Sequence, residues 1–290
     1  MLLTGPDARP DQTEARLTRR GLGKLLGAAG FAAALSPPAA SAIQTPSVGL
    51  VTGSLPFKSG EDTLPAYVAR PEGPGPFPVV LVVHEIFGIH EYIRDVTRRF
   101  AQKGYMAVAP DLFARAGDPS GLEDWDKIRE IVATATHDQV MGDLSRLIDF
   151  LETQPEADTA RLGLTGFYWG GKVAWMFAAE DPRLKASVAW YGRLRPRDED
   201  DDAPYPLQVA GDLKAPVLGL YGSEDRGIPV SDVEMMQTAL AETDATSRII
   251  LYQGAQHGFH ADYRDSYDKT SAEDGWARAL AWFQTHGVEI

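Results

Sequence analysis

An α/β architecture, with a mostly parallel central sheet and helices on both faces, is the fold class this sequence predicts. Three observations predict it. Short apolar, β-branched runs alternate with stretches of helical periodicity along most of the chain beyond residue 60. One run, "VVLVVHE" (79–85), is apolar without interruption before its polar end, as a strand covered on both faces must be. The glycine-bearing polar segments fall just past the strands, where open α/β sheets gather their chemistry.

The elements follow in order. "TLPAYVAR" (63–70) alternates like a half-buried strand, and "GPGPFP" (73–78) is a turn because proline and glycine forbid regular pairing. After the strand 79–85, residues 91–103 are helical, with Ile93, Val96 and Phe100 on one side. "YMAVAPD" (105–111) is a strand, and helices are expected over 122–133 and 138–153, the second carrying Val140, Leu144, Leu147, Ile148 and Leu151 as one stripe. The strand "RLGLTG" (161–166) runs into a helix over 170–179, and "KASVAWY" (185–191) is the next strand. "APVLGLYG" (215–222) and "SRIILYQG" (247–254) are strands, each followed by a helix, over 231–241 and 272–286. Strands separated by helices imply βαβ units within one sheet.

Composition bounds the function. The chain has 290 residues, 44% hydrophobic and 24% charged, which suits one globular domain with a sizeable core. A net charge of −13 excludes a nucleic-acid binder and a ligand of anionic membrane surfaces. The run "RDEDDD" (197–202) reads as a solvated loop. There is no cysteine, hence no disulfide, thiolate metal site or thiol nucleophile, and no H-E-x-x-H spacing, so no metal site is expected.

The N-terminus reads as an address. "TRRGLGK" (18–24), the apolar "LLGAAGFAAAL" (25–35) and Ala40-Ser41-Ala42 form a basic region, a short hydrophobic region and a cleavage site. Arg19-Arg20 resembles a twin-arginine signal, with Leu22 where Phe is common, so the twin-arginine export machinery is an expected partner and the periplasm or beyond the destination. The hydrophobic region is too short to span a bilayer. Cleavage would leave 43–290 as a single domain without stable membrane association, its charge moved to −15 by the loss of five basic and three acidic residues.

Past the strands stand the candidate site residues. "GFYWGG" (166–171) has the outline of a nucleophile elbow, G-x-Nu-x-G, with Tyr168 at the centre. Asp225 follows the strand 215–222 and His257 the last strand. The order elbow, acid, histidine is that of α/β-hydrolases. His257 is the candidate base, Asp225 the group that orients it, and the N–H groups of Trp169 and Ile86 the candidate oxyanion donors. Tyr191 and Phe259, with Trp169, are candidate pocket walls. His260 is either a support of the site or solvated, and His84, His90, His137 and His286 read as structural or surface. Asp262 and Arg264 are expected to pair with each other at the surface.

"VVLVVHEIFGIHEYIRDVTRRFAQKGYMAVAPDLFAR" (79–115), with "GFYWGG", "YGSEDRGIP" and "YQGAQHGFHADYRDSY", resembles the dienelactone hydrolase family, the carboxymethylenebutenolidases. The resemblance implies a single α/β-hydrolase domain that hydrolyses a small ester or lactone without cofactor. It implies Asp225 and His257 as triad members, Glu85 as the glutamate that touches the resting nucleophile, and Arg115 as an arginine for a substrate carboxylate. Two positions depart from the family. Tyr168 stands where the family has cysteine, and Ala261 where a second substrate arginine is common, with Arg264 near enough to substitute. Phenols ionise near pH ~10, and the phenol oxygen lies beyond the reach of a thiol. Three readings follow: a hydrolase scaffold with acyl transfer impaired, a hydrolase using Tyr168 or a water activated by His257, and a small-molecule-binding protein on the same fold.

Overall fold

A computed structural model describes residues 42–196, 203–244 and 246–290. The leader through residue 41, with Arg19 and Arg20, and the acidic run 197–202 lie outside the described residues. The chain opens with β1 (Leu50–Ser54), a hairpin of β2 (Phe57–Ser59) and β3 (Asp62–Leu64), then β4 (Ala66–Pro71) and β5 (Phe77–Val83). It continues through α1 (Glu91–Gln102), β6 (Met106–Pro110), α2 (Trp125–Thr134), α3 (His137–Leu151), β7 (Ala157–Phe167) and α4 (Trp169–Glu180). The last third holds β8 (Ala186–Trp190), a 3-10 turn (Pro206–Val209), β9 (Val217–Gly222), α5 (Val230–Ala241), β10 (Arg248–Tyr252) and α6 (Lys269–Thr285).

Eight strands form one sheet in the order β1-β4-β6-β5-β7-β8-β9-β10. The β1/β4 and β4/β6 pairs are antiparallel, and every pair from β6 to β10 is parallel. Val79 through Val83 of β5 have no exposed surface, because the strand lies mid-sheet with helices packed around it.

The expected strand 63–70 is split. Pro65 has no N–H to give a ladder, so β3 ends before it and pairs back onto β2, while β4 enters the main sheet. The helix expected from 122 begins at Trp125, where Asp124 caps it by accepting from the Asp126 and Lys127 amides. In α4, Val173 through Ala179 are all buried, so the helix has no polar face to create a periodic signal. At its N-terminal end the described chain is tied to α1: Arg98 Nε donates to the Thr45 carbonyl at 2.8 Å and Gln102 Nε2 to that of Pro46 at 3.0 Å. No helix among the described residues is long and apolar enough to cross a membrane.

Candidate active site

The turn from β7 to α4 is strained where an elbow should be. Tyr168 has φ 53° and ψ −106°, outside the regions an L-residue prefers, at a cost on the order of 1–3 kcal/mol. Its neighbours impose the conformation. The Tyr168 amide donates to the Trp190 carbonyl at 3.0 Å, and its own carbonyl accepts from the Gly171 and Lys172 amides. A Cβ on Gly166 would lie 1.9 Å from the Gly170 carbonyl oxygen, and one on Gly170 would lie 2.4 Å from that of Val83. Both positions therefore admit only glycine, which lets β7, β5 and the start of α4 close on one another.

Asp225, three residues past β9, is buried. Its Oδ1 accepts from the Gly227 and Ile228 amides at 2.7 and 3.0 Å. Its Oδ2 lies 2.6 Å from His257 Nδ1, in the loop after β10. An ionised carboxylate only accepts, so Nδ1 carries the proton and Nε2 is the basic atom. The imidazole meets two tyrosine rings near edge-on: Tyr168 at 4.9 Å and 85°, and Tyr191 at 5.3 Å and 65°. Tyr191, the residue after β8, has φ 38°, so the two non-glycine residues with positive φ among those described both face His257. The loops after β7, β9 and β10 thus converge as the chain order implied.

The oxyanion candidates flank the elbow. Trp169 opens α4, so its N–H has no partner within the helix. Ile86 is half-buried in the loop after β5. His84 links them. It is fully buried, accepts from the Leu112 amide through Nε2 at 3.2 Å, and therefore donates through Nδ1 to the Glu85 carbonyl at 2.6 Å. Burial drives its pKa down to about 4, which keeps the ring neutral. Trp169 stacks on the imidazole, 5.5 Å away and 13° from parallel.

Glu85 is fully buried. Arg264 Nη2 donates to it at 2.9 Å and the Tyr263 hydroxyl at 2.6 Å, while His90 Nε2 stands 3.4 Å off. Burial by itself would raise this carboxyl, but the Arg264 guanidinium overrides burial and holds it at about 2.

Three expectations are corrected. Arg115 does not wait for a substrate: it forms a two-pronged pair with Asp143 at 2.7 and 2.9 Å and also bonds Asp62, because carboxylates from α3 and β3 are within its reach. Arg264 and Asp262 do not pair with each other; Arg264 turns inward to Glu85, and Asp262 is taken by Arg99 on α1. Neither Phe259 nor Tyr191 is a pocket wall, since both are fully buried, Phe259 among Trp190, Tyr191 and Tyr252. Of the two readings open for His260, solvation is ruled out: it is buried, with Nδ1 2.6 Å from the Tyr92 hydroxyl. As expected, His90 and His137 sit in structural or surface contacts, His137 with Glu180, and His286 packs on Trp282. No cluster of metal-ligating side chains occurs among the described residues.

The comparisons agree with the geometry. The model of the dienelactone hydrolase family matches residues 64–287. A Methylorubrum extorquens protein named "Putative carboxymethylenebutenolidase" is 46% identical over 97% of this chain and 98% of its own. An Escherichia coli K12 protein of the same name is 46% identical over 89% of this chain and 96% of its own. The crystal structure of a "Putative Dienelactone Hydrolase" from Klebsiella pneumoniae superposes with a TM-score of 0.77 at 46% identity, covering 81% of this chain and 98% of that one. By fold, by the order of its site loops and by these matches, the chain belongs to the dienelactone hydrolase family.

Proposed function

We propose that the chain is an exported hydrolase of small esters or lactones in which His257 is the base, Asp225 orients it and Tyr168 holds the nucleophile position. The observation that carries this reading is the edge-on approach of the Tyr168 ring to an imidazole already bound to Asp225. His257 Nε2 takes the proton of the attacking group, and Asp225 stabilises the imidazolium that forms. The Trp169 and Ile86 amides receive the developing oxyanion, each such donor contributing ~3 kcal/mol. A phenol at this elbow carries its oxygen past the place where a short side chain would present a nucleophile. Misplacement of only ~1 Å costs ~100-fold in rate. Turnover is therefore held down by Tyr168 while the rest of the machinery stands ready.

The test is hydrolysis of 4-nitrophenyl acetate by wild type, Tyr168→Cys, Tyr168→Phe and His257→Ala. Tyr168→Cys should gain ~100-fold or more in kcat/KM, and His257→Ala added to it should erase the gain. A wild type that is active and loses activity in Tyr168→Phe would show that the phenol is the nucleophile. If no variant turns over yet small acids or esters raise Tm, the fold serves binding instead.

Export rests on the leader sequence. Changing Arg19 and Arg20 to lysine should leave the protein in the cytoplasm. Unchanged export of that double variant would refute the twin-arginine assignment.

A further inference from the structure

The segment that follows the expected cleavage site is held against the loop that carries His257. That loop, residues 253–268 between β10 and α6, also holds His260 and Asp262. Both reach α1: His260 Nδ1 lies 2.6 Å from the Tyr92 hydroxyl, and Asp262 accepts from Arg99. Successive turns join Asp262 to the base. The Ala261 amide donates to the Gly258 carbonyl at 2.8 Å, and the Arg264 amide to that of Ala261 at 3.0 Å. The chain from Ile43 enters the same place. The Thr45 amide and hydroxyl donate to Asp95, Arg98 Nε donates to the Thr45 carbonyl, and the Ile43 amide donates to the Asp262 carboxylate.

The charges there do not balance. Arg98 pairs with Glu91 and Asp95, and Arg99 with Asp95 and Asp262, so three carboxylates share two guanidiniums. Asp95 and Asp262 are 1% and 4% exposed. Burial pushes the Asp262 carboxyl up, and Arg99 and the Ile43 N–H draw it only part of the way back. A buried carboxylate short of positive charge is costly, and one more cation beside it offsets that cost. The chain can supply the cation itself. Cleavage after Ala42 turns the Ile43 amide nitrogen, which already faces Asp262, into an α-ammonium. A charged donor makes a bond to a carboxylate roughly twice as strong as a neutral N–H does.

We propose that Asp262 is the binding site for the α-ammonium of the mature chain, and that this ion pair locks the loop carrying His257, so that removal of the leader completes the active site. The inference rests on the reading that the leader is removed after Ala42. It needs the hydrolase reading only for its kinetic measurement.

The test compares two chains released from a cleavable fusion partner, one beginning at Ile43 and one at Ala42, each as wild type, Asp262→Asn and Tyr168→Cys. In the chain that begins at Ala42, residue 43 keeps a neutral amide and the charge sits one residue, ~3.8 Å, away. The chain that begins at Ile43 should melt about 3–6 °C higher, and Asp262→Asn should abolish the difference. Its α-amine, followed by isotope-labelled reductive methylation and NMR, should titrate above the ordinary value of about 8, because the carboxylate favours the charged form. With Tyr168→Cys it should hydrolyse 4-nitrophenyl acetate with a kcat ~3- to 10-fold higher and KM little changed. An equal Tm, a Tm difference that survives Asp262→Asn, an α-amine that titrates at its ordinary value, or an equal kcat overturns the inference. The titration decides even where Asp262→Asn fails to fold. Absence of turnover in every chain would sink the hydrolase reading alone, and the melting and titration results would still decide the ion pair. An exported protein that mass spectrometry finds to begin elsewhere than Ile43 overturns the maturation step, whatever the two chains do.

Discussion

His84 shows how one side chain can serve the site without touching substrate. Its imidazole donates to the Glu85 carbonyl, and that carbonyl belongs to the same peptide unit as the Ile86 N–H. Peptide planarity then fixes where the Ile86 N–H points. The stacked Trp169 belongs to the residue that carries the other candidate donor. In a Tyr168→Cys background, His84→Leu should lower kcat for 4-nitrophenyl acetate by ~10- to 100-fold with KM little changed. A change confined to KM or to Tm would assign His84 a packing role only. This role was not legible in the sequence, because it lies in a bond to a neighbouring peptide and has no spacing signature. Tyr168, Asp225 and His257, by contrast, were legible, since each stands just past a strand and the order of the three is diagnostic. The partners of Arg115 and Arg264 were not: an arginine's ion pair depends on which carboxylate the fold brings near.

Among the elements, the hairpin β2–β3 shows what Arg115 does. Its guanidinium ties β3, through Asp62, to α3, through Asp143, and the Ser59 hydroxyl on β2 donates to the same Asp143. Asp143 is almost wholly buried, so removal of its cation is costly, although partial exposure of Arg115 discounts the loss. Arg115→Leu should destabilise by about 2 kcal/mol in urea unfolding while kcat/KM for a neutral ester stays at the wild-type value. A selective loss of activity with unchanged stability would contradict the structural assignment. The hairpin and β1 both escaped sequence reading. β2 and β3 bury Phe57 and Leu64 but span three residues each, too few to write a period, and β1 carries only half-buried and exposed residues. Mid-sheet strands and α3 were legible because full or one-sided burial writes a strong pattern. The elbow helix α4 was legible from its glycines rather than from periodicity.

Across the whole molecule, the same buried groups make stability depend on pH. His84 and His260 are both held below the ordinary histidine value, chiefly by burial, so the unfolded chain binds protons that the folded chain refuses. The stability they permit is complete above pH 6.5 and falls as pH drops towards 4, the folded value of His84. The urea midpoint should accordingly decline between pH 7 and 5, and less steeply in His84→Asn; a flat profile across that window would show that neither histidine is buried as described. Glu85 adds nothing in that window, since its carboxyl stays ionised down to about 2. The central claim, that distant loops bring the elbow residue against a histidine already engaged by an aspartate, has one most direct test. The chain has no cysteine, so Tyr168→Cys introduces a single thiol. Its alkylation by iodoacetamide should titrate well below the ordinary thiol range of about 8.5 and revert to that range when His257→Ala is added. A thiol that reacts as an ordinary cysteine in both proteins would mean that residue 168 and His257 do not meet, and the account would fail.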